Sequence, residues 1–382
     1  MKYHKKILII TERRADFSRF RPIIDLFHKE KIKYNLIVTG VHLSKKHGFT
    51  INEIKAGKYN ISSQFEMFDK NFYKKNSGLE MSVAIGKAFI QIPNMVKKFQ
   101  PDLILSGFDI AANFAITVVG AHMNIPVAHI QGGEVSGTID ESLRHAMSKF
   151  AHFHLTANQD SKNRLIKLGE KKNSIKVVGC PSIDALLSAK SLDHNYILKK
   201  FKLNINNPFF LILQHPVTTE IDNTKKNIAE TLEALKSFKE KKLFIFPNND
   251  AGSKKIITTL KKNKVIYAPT LNLQEYKTLL QKCQILIGNS SSGIHEAASF
   301  KKPVVNIGTR QQGRLKPLNV IDAPYNAKKI IQAIKKGLSQ KFLKKLDNLR
   351  NPYGDGKSAI KIVKFIKNTN FKKTKIQKKI TY

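Results

Sequence analysis

Six residues, Gly288-Asn289-Ser290-Ser291-Ser292-Gly293, stand between the apolar run Ile285-Leu286-Ile287 and a segment that carries His295 and Glu296. The pattern reads as a short buried strand, a tight loop and the start of a helix. Unpaired backbone N–H groups and the positive end of a helix dipole converge at such a spot, and three serine hydroxyls add donors without bulk. The chemistry this suits is the seating of an anion, most simply a phosphate or diphosphate. Glu296, about one turn into the helix, suits the two hydroxyls of a ribose better than a phosphate. The stretch is therefore expected to seat a nucleotide, although a plain N-cap draws on the same residues.

A second group could move protons. The segment from Gly132 to His145 supplies flexible backbone, then Glu134, Asp140 and Glu141, then Arg144 and His145 in the first turns of a helix. Asp140 as a cap and Glu141 near the helix's positive end would be the structural alternative. Asp109 follows a strand and adds another carboxylate. Gln214-His215-Pro216 puts a histidine at a strand's carboxyl end before a proline turn, and Asn248 to Ser253 repeats a polar loop and helix start one strand later, with Asp250 a candidate ligand or cap. Arg13 and Arg14 follow the first strand, where open α/β sheets bind ligands.

The elements that must position these groups alternate along the whole chain. Strands are expected at 6–11, 34–39, 103–106, 127–130, 152–156 and 175–178, with helices between them and a variable stretch to about residue 77. Residues 179–207 look like a junction. A second set follows, with strands at 209–214, 243–246, 265–268, 285–287 and 304–306 and a helical region at 327–346 interrupted at Gly337. This is the signature of parallel sheets wound on both faces. The expected architecture is α/β, two doubly wound Rossmann-like domains with an interdomain cleft: 1–180, 181–368, and a frayed basic tail at 369–382.

Composition narrows the function. The chain has 382 residues, 41% of them hydrophobic, enough for two cores. The net charge of +39 raises a nucleic-acid reading, but the excess is mostly lysine scattered over helix faces and loops, with no motif of a nucleic-acid-binding module, so no specific nucleic-acid partner is expected. No apolar run reaches 18 residues and the N-terminus leads straight into a strand, so no membrane association and a cytoplasmic location are expected. Cys180 and Cys283 make neither a disulfide framework nor a metal cluster.

Seven segments taken together resemble the hydrolysing UDP-N-acetylglucosamine 2-epimerases, including the epimerase half of the animal bifunctional epimerase/kinase. They are the stretches 14–18, 132–145, 214–219, 246–253, 288–293, 308–314 and 353–356, in the same order from about residue 5 to 368. The resemblance implies a glycosyltransferase-B-like fold, release of UDP, and formation of N-acetylmannosamine for sialic acid synthesis. It implies that Arg14, His215, Ser290, Ser291 and Arg310 hold diphosphate, that Glu296 holds ribose, and that Asn248 and Asp250 serve the sugar or nucleotide, with Ser18 and Gln131 also on the substrate side. Asp109, Glu134, Asp140 and Glu141, with His215, are the catalytic candidates. A UDP-sugar is the implied partner and a homodimer or higher oligomer the implied assembly; no metal or other cofactor is required. Two positions depart from the pattern: Phe108-Asp109-Ile110 stands where the family usually has Gly-Asp-Arg, and Gln131 where many members carry glutamate. Alternatives are a UDP- or GDP-linked diacetamido sugar of the legionaminic type, a non-catalytic nucleotide-sugar binding protein, and a glycosyltransferase.

Overall fold

The computed structural model describes residues 5–45, 48–68, 77–248 and 250–381. Residues 69–76 of the variable stretch, and Asn249 in the loop before Asp250, lie outside it. The chain forms two compact units, one of Met1–Glu134, Asp140–Ala185 and Tyr353–Tyr382, the other of Val135–Ile139 and Leu186–Pro352.

The first unit is built from β1 (Lys6–Thr11), α1 (Arg14–Lys29), β2 (Lys33–Thr39), α2 (Ile51–Ala56), β3 (Ile61–Phe65), α3 (Gly78–Phe99), β4 (Leu103–Gly107), α4 (Ala111–His122), β5 (Val127–Ile130), α5 (Asp140–Phe150), β6 (Phe153–Thr156), α6 (Gln159–Lys167) and β7 (Ile175–Val177). Its seven strands are parallel, in the order β3-β2-β1-β4-β5-β6-β7. Both sheet faces are buried, which is why β1 reads as an unbroken apolar run. Ile7 and Ile9 pack with Phe17, Phe20 and Ile24 of α1, while Leu8 and Ile10 face Ala88 and Ile92 of α3 and Ile116 of α4.

The second unit repeats the plan. The chain passes from the first unit into the second within α7 (Pro181–Ser188), and after α8 (His194–Phe201) come β8 (Phe209–Leu213), α9 (Thr224–Lys236), β9 (Lys241–Ile245), α10 (Ser253–Lys262), β10 (Ile266–Ala268), α11 (Leu273–Lys282), β11 (Ile285–Gly288), α12 (Ser291–His295), β12 (Val304–Ile307), β13 (Val320–Ala323), α13 (Ala327–Leu338) and α14 (Gln340–Lys345). The parallel order is β10-β9-β8-β11-β12-β13. The strand order reverses direction beside β1 and beside β8, so the loops after β1, β4, β8 and β11 stand at topological switch points, where such sheets take ligands.

Several expectations are corrected. The last helix, α15 (Ser358–Asn368), belongs to the first unit, where Ala359, Ile362 and Val363 pack with Phe20 and Ile24, so the second unit does not run from 181 to 368. The tail is not frayed: Phe371 is buried against Phe153 and Phe365, and Thr381 N donates to Gly169 O at 3.0 Å. β3 and β13 were not expected, because both are short edge strands with polar residues and show no apolar run. The junction holds two helices, with Pro181 opening α7 and Asp193 capping α8 through the Tyr196 N–H at 2.9 Å. The break in the late helical region falls at Ser339, which caps α14, while Gly337 is buried inside α13 because a methyl there would meet Ile285 Cδ1 at 2.9 Å. Cys180 and Cys283 are free and buried, and burial pushes their thiols up to about 11 and about 12. Among the described residues no helix is long and apolar enough to cross a membrane.

Candidate active site

In the second unit, β8 and β11 run side by side with Leu213 opposite Gly288. Gly288 has φ +133°, and a side chain there would run into Leu213 O, so only glycine lets the two strand ends lie this close. The next residue, Asn289, is fully buried and acts as the hub. Its Oδ1 accepts from His215 N at 2.7 Å, its Nδ2 donates to His215 O at 2.9 Å and to the Tyr325 hydroxyl at 3.3 Å, and its carbonyl accepts from Gln311 Nε2 at 2.8 Å and Arg310 Nη1 at 3.2 Å. One asparagine thus joins three loops. Gly308 admits Tyr325 to this place, since a side chain at that glycine would strike the Tyr325 ring.

His215 stands on this frame. Burial, helped by the Arg310 charge, drives its pKa well below 6.5, so the ring is neutral. Nδ1 accepts from the Asn248 N–H at 3.3 Å, which leaves the ring proton on Nε2. His215 therefore offers a neutral donor, not a cation. Ser290 caps α12, with Oγ accepting from Ser292 N at 3.4 Å, and Ser291 is the helix's first residue. The helix is only five residues long and Glu296 is its C-cap, so the dipole expected from the sequence is weak and the donors are local loop groups. Arg310 lies 3.9 Å from Asp250. Thr218 Oγ1 and Arg310 Nε are buried with no hydrogen-bond partner among the described residues, and such groups are what an incoming polar ligand satisfies.

In the first unit, the loops after β4 and β5 and the start of α5 bring the predicted carboxylates together. Arg144 is 2% exposed. It pairs with Asp109, and its Nη1 donates to Glu134 O at 2.9 Å. Burial lowers its pKa, but Asp109, Glu134, Asp140 and Glu141 outweigh that and raise it. Four acidic groups thus share the field of one guanidinium. Gln131 Nε2 donates to Glu134 Oε1 at 2.9 Å, and Glu141 lies 3.5 Å from His145.

Two non-glycine residues here are left-handed, Phe108 at φ +68° and Gln131 at φ +60°. Such strain costs about 1–3 kcal/mol and collects at functional loops. The Phe108 ring is held by Phe20 at 5.0 Å and by the Arg19 guanidinium at 5.0 Å, which explains how phenylalanine occupies a place where glycine is the easier residue. Ile110, next along, is buried and carries no charge.

Arg14 and Ser18 sit apart from that group on α1. Arg14 pairs with Glu53, and Ser18 Oγ donates to Ala15 O at 2.8 Å. Their neighbours form a buried network that sequence reasoning missed. Asp16 accepts from Glu12 N, Arg13 N and Phe17 N, each at 2.9 Å, and from Thr11 Oγ1 at 3.0 Å; Glu12 Oε2 accepts from Ala112 N at 3.0 Å. Arg144 and Asn289 were named within the sequence motifs but given no role, and Tyr325 was not singled out. For Arg144 the four-residue spacing from Asp140 was a usable signal; for Tyr325 there was none.

Two parallel α/β sheets, each with polar loops at its switch point, define a glycosyltransferase-B-like protein. The same fold is seen in the UDP-GlcNAc 2-epimerase from Neisseria meningitidis bound to UDP-GlcNAc, with a TM-score of 0.78, 20% identity, and coverage of 94% of this chain and 99% of that one. The sequence profile of the UDP-N-acetylglucosamine 2-epimerase family matches residues 25–367. The chain is 32% identical over 368 residues to the UDP-N,N'-diacetylbacillosamine 2-epimerase (hydrolyzing) of Legionella pneumophila, covering 95% of this chain and 96% of that one. It is 32% identical over 339 residues to the UDP-N-acetylglucosamine 2-epimerase of Neisseria meningitidis serogroup B, covering 88% of each. The chain belongs to the UDP-N-acetylglucosamine 2-epimerase family.

Proposed function

We propose that the protein is a hydrolysing nucleotide-sugar 2-epimerase that converts UDP-N-acetylglucosamine and water to UDP and N-acetylmannosamine, serving sialic acid type synthesis. The observation that carries this reading is the convergence of Asp109, Glu134, Asp140 and Glu141 on Arg144. Removing a proton from carbon 2 needs a carboxylate base, and returning one from the other face needs an acid. The hydrolysing type is supported by the name of the Legionella relative.

In the first step a carboxylate takes the carbon 2 proton, the C–H electron pair becomes the carbon 1–carbon 2 double bond, and the carbon 1–oxygen bond breaks with its electrons on departing UDP. In the second, carbon 2 receives a proton on the opposite face, and water bonds through oxygen to carbon 1 and gives up its other proton. The departing diphosphate needs preorganised donors. Ser290, Ser291, Arg310 and the Nε2–H of His215 supply them in this reading. Glu296 takes the ribose, and Asn248 and Asp250 the neighbouring polar groups. Gln131 cannot transfer a proton as a carboxylate does; its amide donates to Glu134 Oε1 and fixes the place of that carboxylate.

Turnover followed by NMR in deuterated water tests the reading. The expected products are free UDP and N-acetylmannosamine with deuterium at carbon 2. Accumulating UDP-N-acetylmannosamine would make the enzyme non-hydrolysing, faster turnover of a UDP- or GDP-linked diacetamido sugar would move the substrate, and tight UDP binding without turnover would leave a binding protein.

A further inference from the structure

Helix α5 carries Asp140, Glu141 and Arg144 in its first half, and its other end is not left to solvent. The ammonium of Lys378, far along the chain, donates to Ser148 O at 2.9 Å, Lys149 O at 2.9 Å and Ala151 O at 2.5 Å. The last carbonyls of a helix have no partners within it and carry the negative end of its dipole, so a cation with three N–H donors fits this place. The same ammonium lies 2.7 Å from Glu170, a buried carboxylate that also accepts from His154 at 3.0 Å.

The segment bearing Lys378 is fixed on both sides. Before it, Ile376 O accepts from His152 Nε2 at 3.2 Å, while His152 Nδ1 accepts from Val127 N at 3.1 Å beside β5. After it, Thr381 N and Oγ1 donate to Gly169 O at 3.0 and 3.1 Å. Gly169, with φ +83°, has no side chain to meet Ile380, whose Cγ2 a methyl there would approach at 2.8 Å. The segment therefore lies across the carboxyl end of α5 as a strap, and Lys378 is its pin.

We propose that Lys378 is a positioning residue for the acid–base group at the other end of α5. The proposal rests on the reading of that group as the proton-transfer machinery. The eleven residues of α5 make a rod about 16 Å long, stiff enough that a shift at one end is carried to the other. A misplacement of about 1 Å in a reacting group can cost about a hundredfold in rate. Lys378 touches no substrate in this scheme; it sets the place from which Asp140, Glu141 and Arg144 act.

The test compares Lys378→Met, which keeps most of the apolar stem and removes the charge, with Lys378→Arg, which keeps charge and donors. The expected result is a fall in kcat of about tenfold in the methionine variant, with KM for UDP-N-acetylglucosamine and the Kd for UDP within twofold of wild type, and recovery to within threefold in the arginine variant. Hydrogen exchange read by mass spectrometry should quicken at least tenfold across 140–150 in Lys378→Met and stay unchanged in β1 and β4. Unchanged kcat and exchange, or a loss of kcat matched by equal loss of UDP affinity and uniformly faster exchange, overturns the proposal. If Lys378→Met does not fold, Lys378→Gln is measured in its place with the same criteria. If wild type turns over no nucleotide sugar, the proposed function fails on its own, and the exchange measurement still decides whether Lys378 holds α5.

Discussion

The loops of the two sheets meet similar structural needs with opposite electrostatics. After β8 and β11 many of the polar groups are neutral: two serine hydroxyls, an asparagine with its side-chain amide and carbonyl bonded, and a histidine held uncharged, with Arg310, Asp250, Glu220 and Glu296 the charges nearby. After β4 and β5 the groups are charge-dense, four carboxylates around one buried guanidinium. Neutral donors fixed by a hydrogen-bonded frame are well placed to receive an anion without reorganising, whereas a group that must gain and lose protons needs carboxylates whose fields oppose one another. The first arrangement suits holding, and the second suits reaction.

The strongest way to break this contrast is Arg144→Met. Removing one partner of a buried ion pair leaves uncompensated charge and costs about 3–5 kcal/mol. Urea denaturation should show a loss of that order, and turnover should fall by about a thousandfold or more. The Kd for UDP, read by calorimetry, should stay within threefold. A parallel collapse of UDP affinity would mean that the two groups do not divide the work in this way.

Acid should act on the first unit before the second. Burial holds His42 and His152 neutral, with values lowered to about 4, and His129 and His154 are lowered too, also by burial; these four belong to the first unit, against His215, lowered by burial in the second. The unfolded chain takes up these protons near pH 6.5 and the folded one does not, so stability falls as pH drops from about 6.5 to 4. His42 and His152 each contribute on the order of 2 kcal/mol to that loss. Glu170, lowered to about 2 despite its burial by its bonds to His154 and Lys378, adds a second loss as pH falls below about 4.5. Segment-resolved hydrogen exchange from pH 7 to 4 should show β5 and β6 opening before β8 and β11.

Asn289→Ala should do the converse of Arg144→Met at smaller cost. It strips partners from the His215 backbone and the Tyr325 hydroxyl, a loss of about 1–2 kcal/mol. Because the frame serves holding, KM should rise about tenfold while kcat changes less than threefold. A large fall in kcat with KM unchanged would place Asn289 on the reacting side instead.

Much of this contrast was legible before any coordinates. Unbroken apolar runs such as Ile7 to Ile10 and Phe209 to Leu213 mark strands buried on both faces, and they fixed the α/β class. The spacing from Glu134 to Arg144 marked the carboxylate group. What was hidden has physical causes. β3 and β13 lie at sheet edges and need no apolar face, and α15 returns to the first unit through contacts far apart in sequence. The strap was misread because five lysines in 372–379 look solvated, and only the carbonyl ends of α5 and the Glu170 carboxylate show why Lys378 is drawn in. His215 was singled out from its place at a strand end, but its neutral state depends on burial and on the Asn248 N–H, neither of which a sequence displays.

The finest test lies at Gln131, where the chain carries an amide against a carboxylate. Gln131 Nε2 is 2.9 Å from Glu134 Oε1, and Gln131 Oε1 is buried with no partner among the described residues. In Gln131→Glu, two carboxylates at hydrogen-bond distance cannot both ionise freely, so the pair holds a proton to higher pH. The acidic limb of the kcat/KM profile should move up by about one pH unit, while kcat at pH 8 changes less than threefold. The left-handed backbone at this position is no more hostile to glutamate than to glutamine, so folding should not confuse the result. A profile that does not move would show that Glu134 is not the group whose ionisation the reaction needs, and Asp109 would take its place beside Arg144.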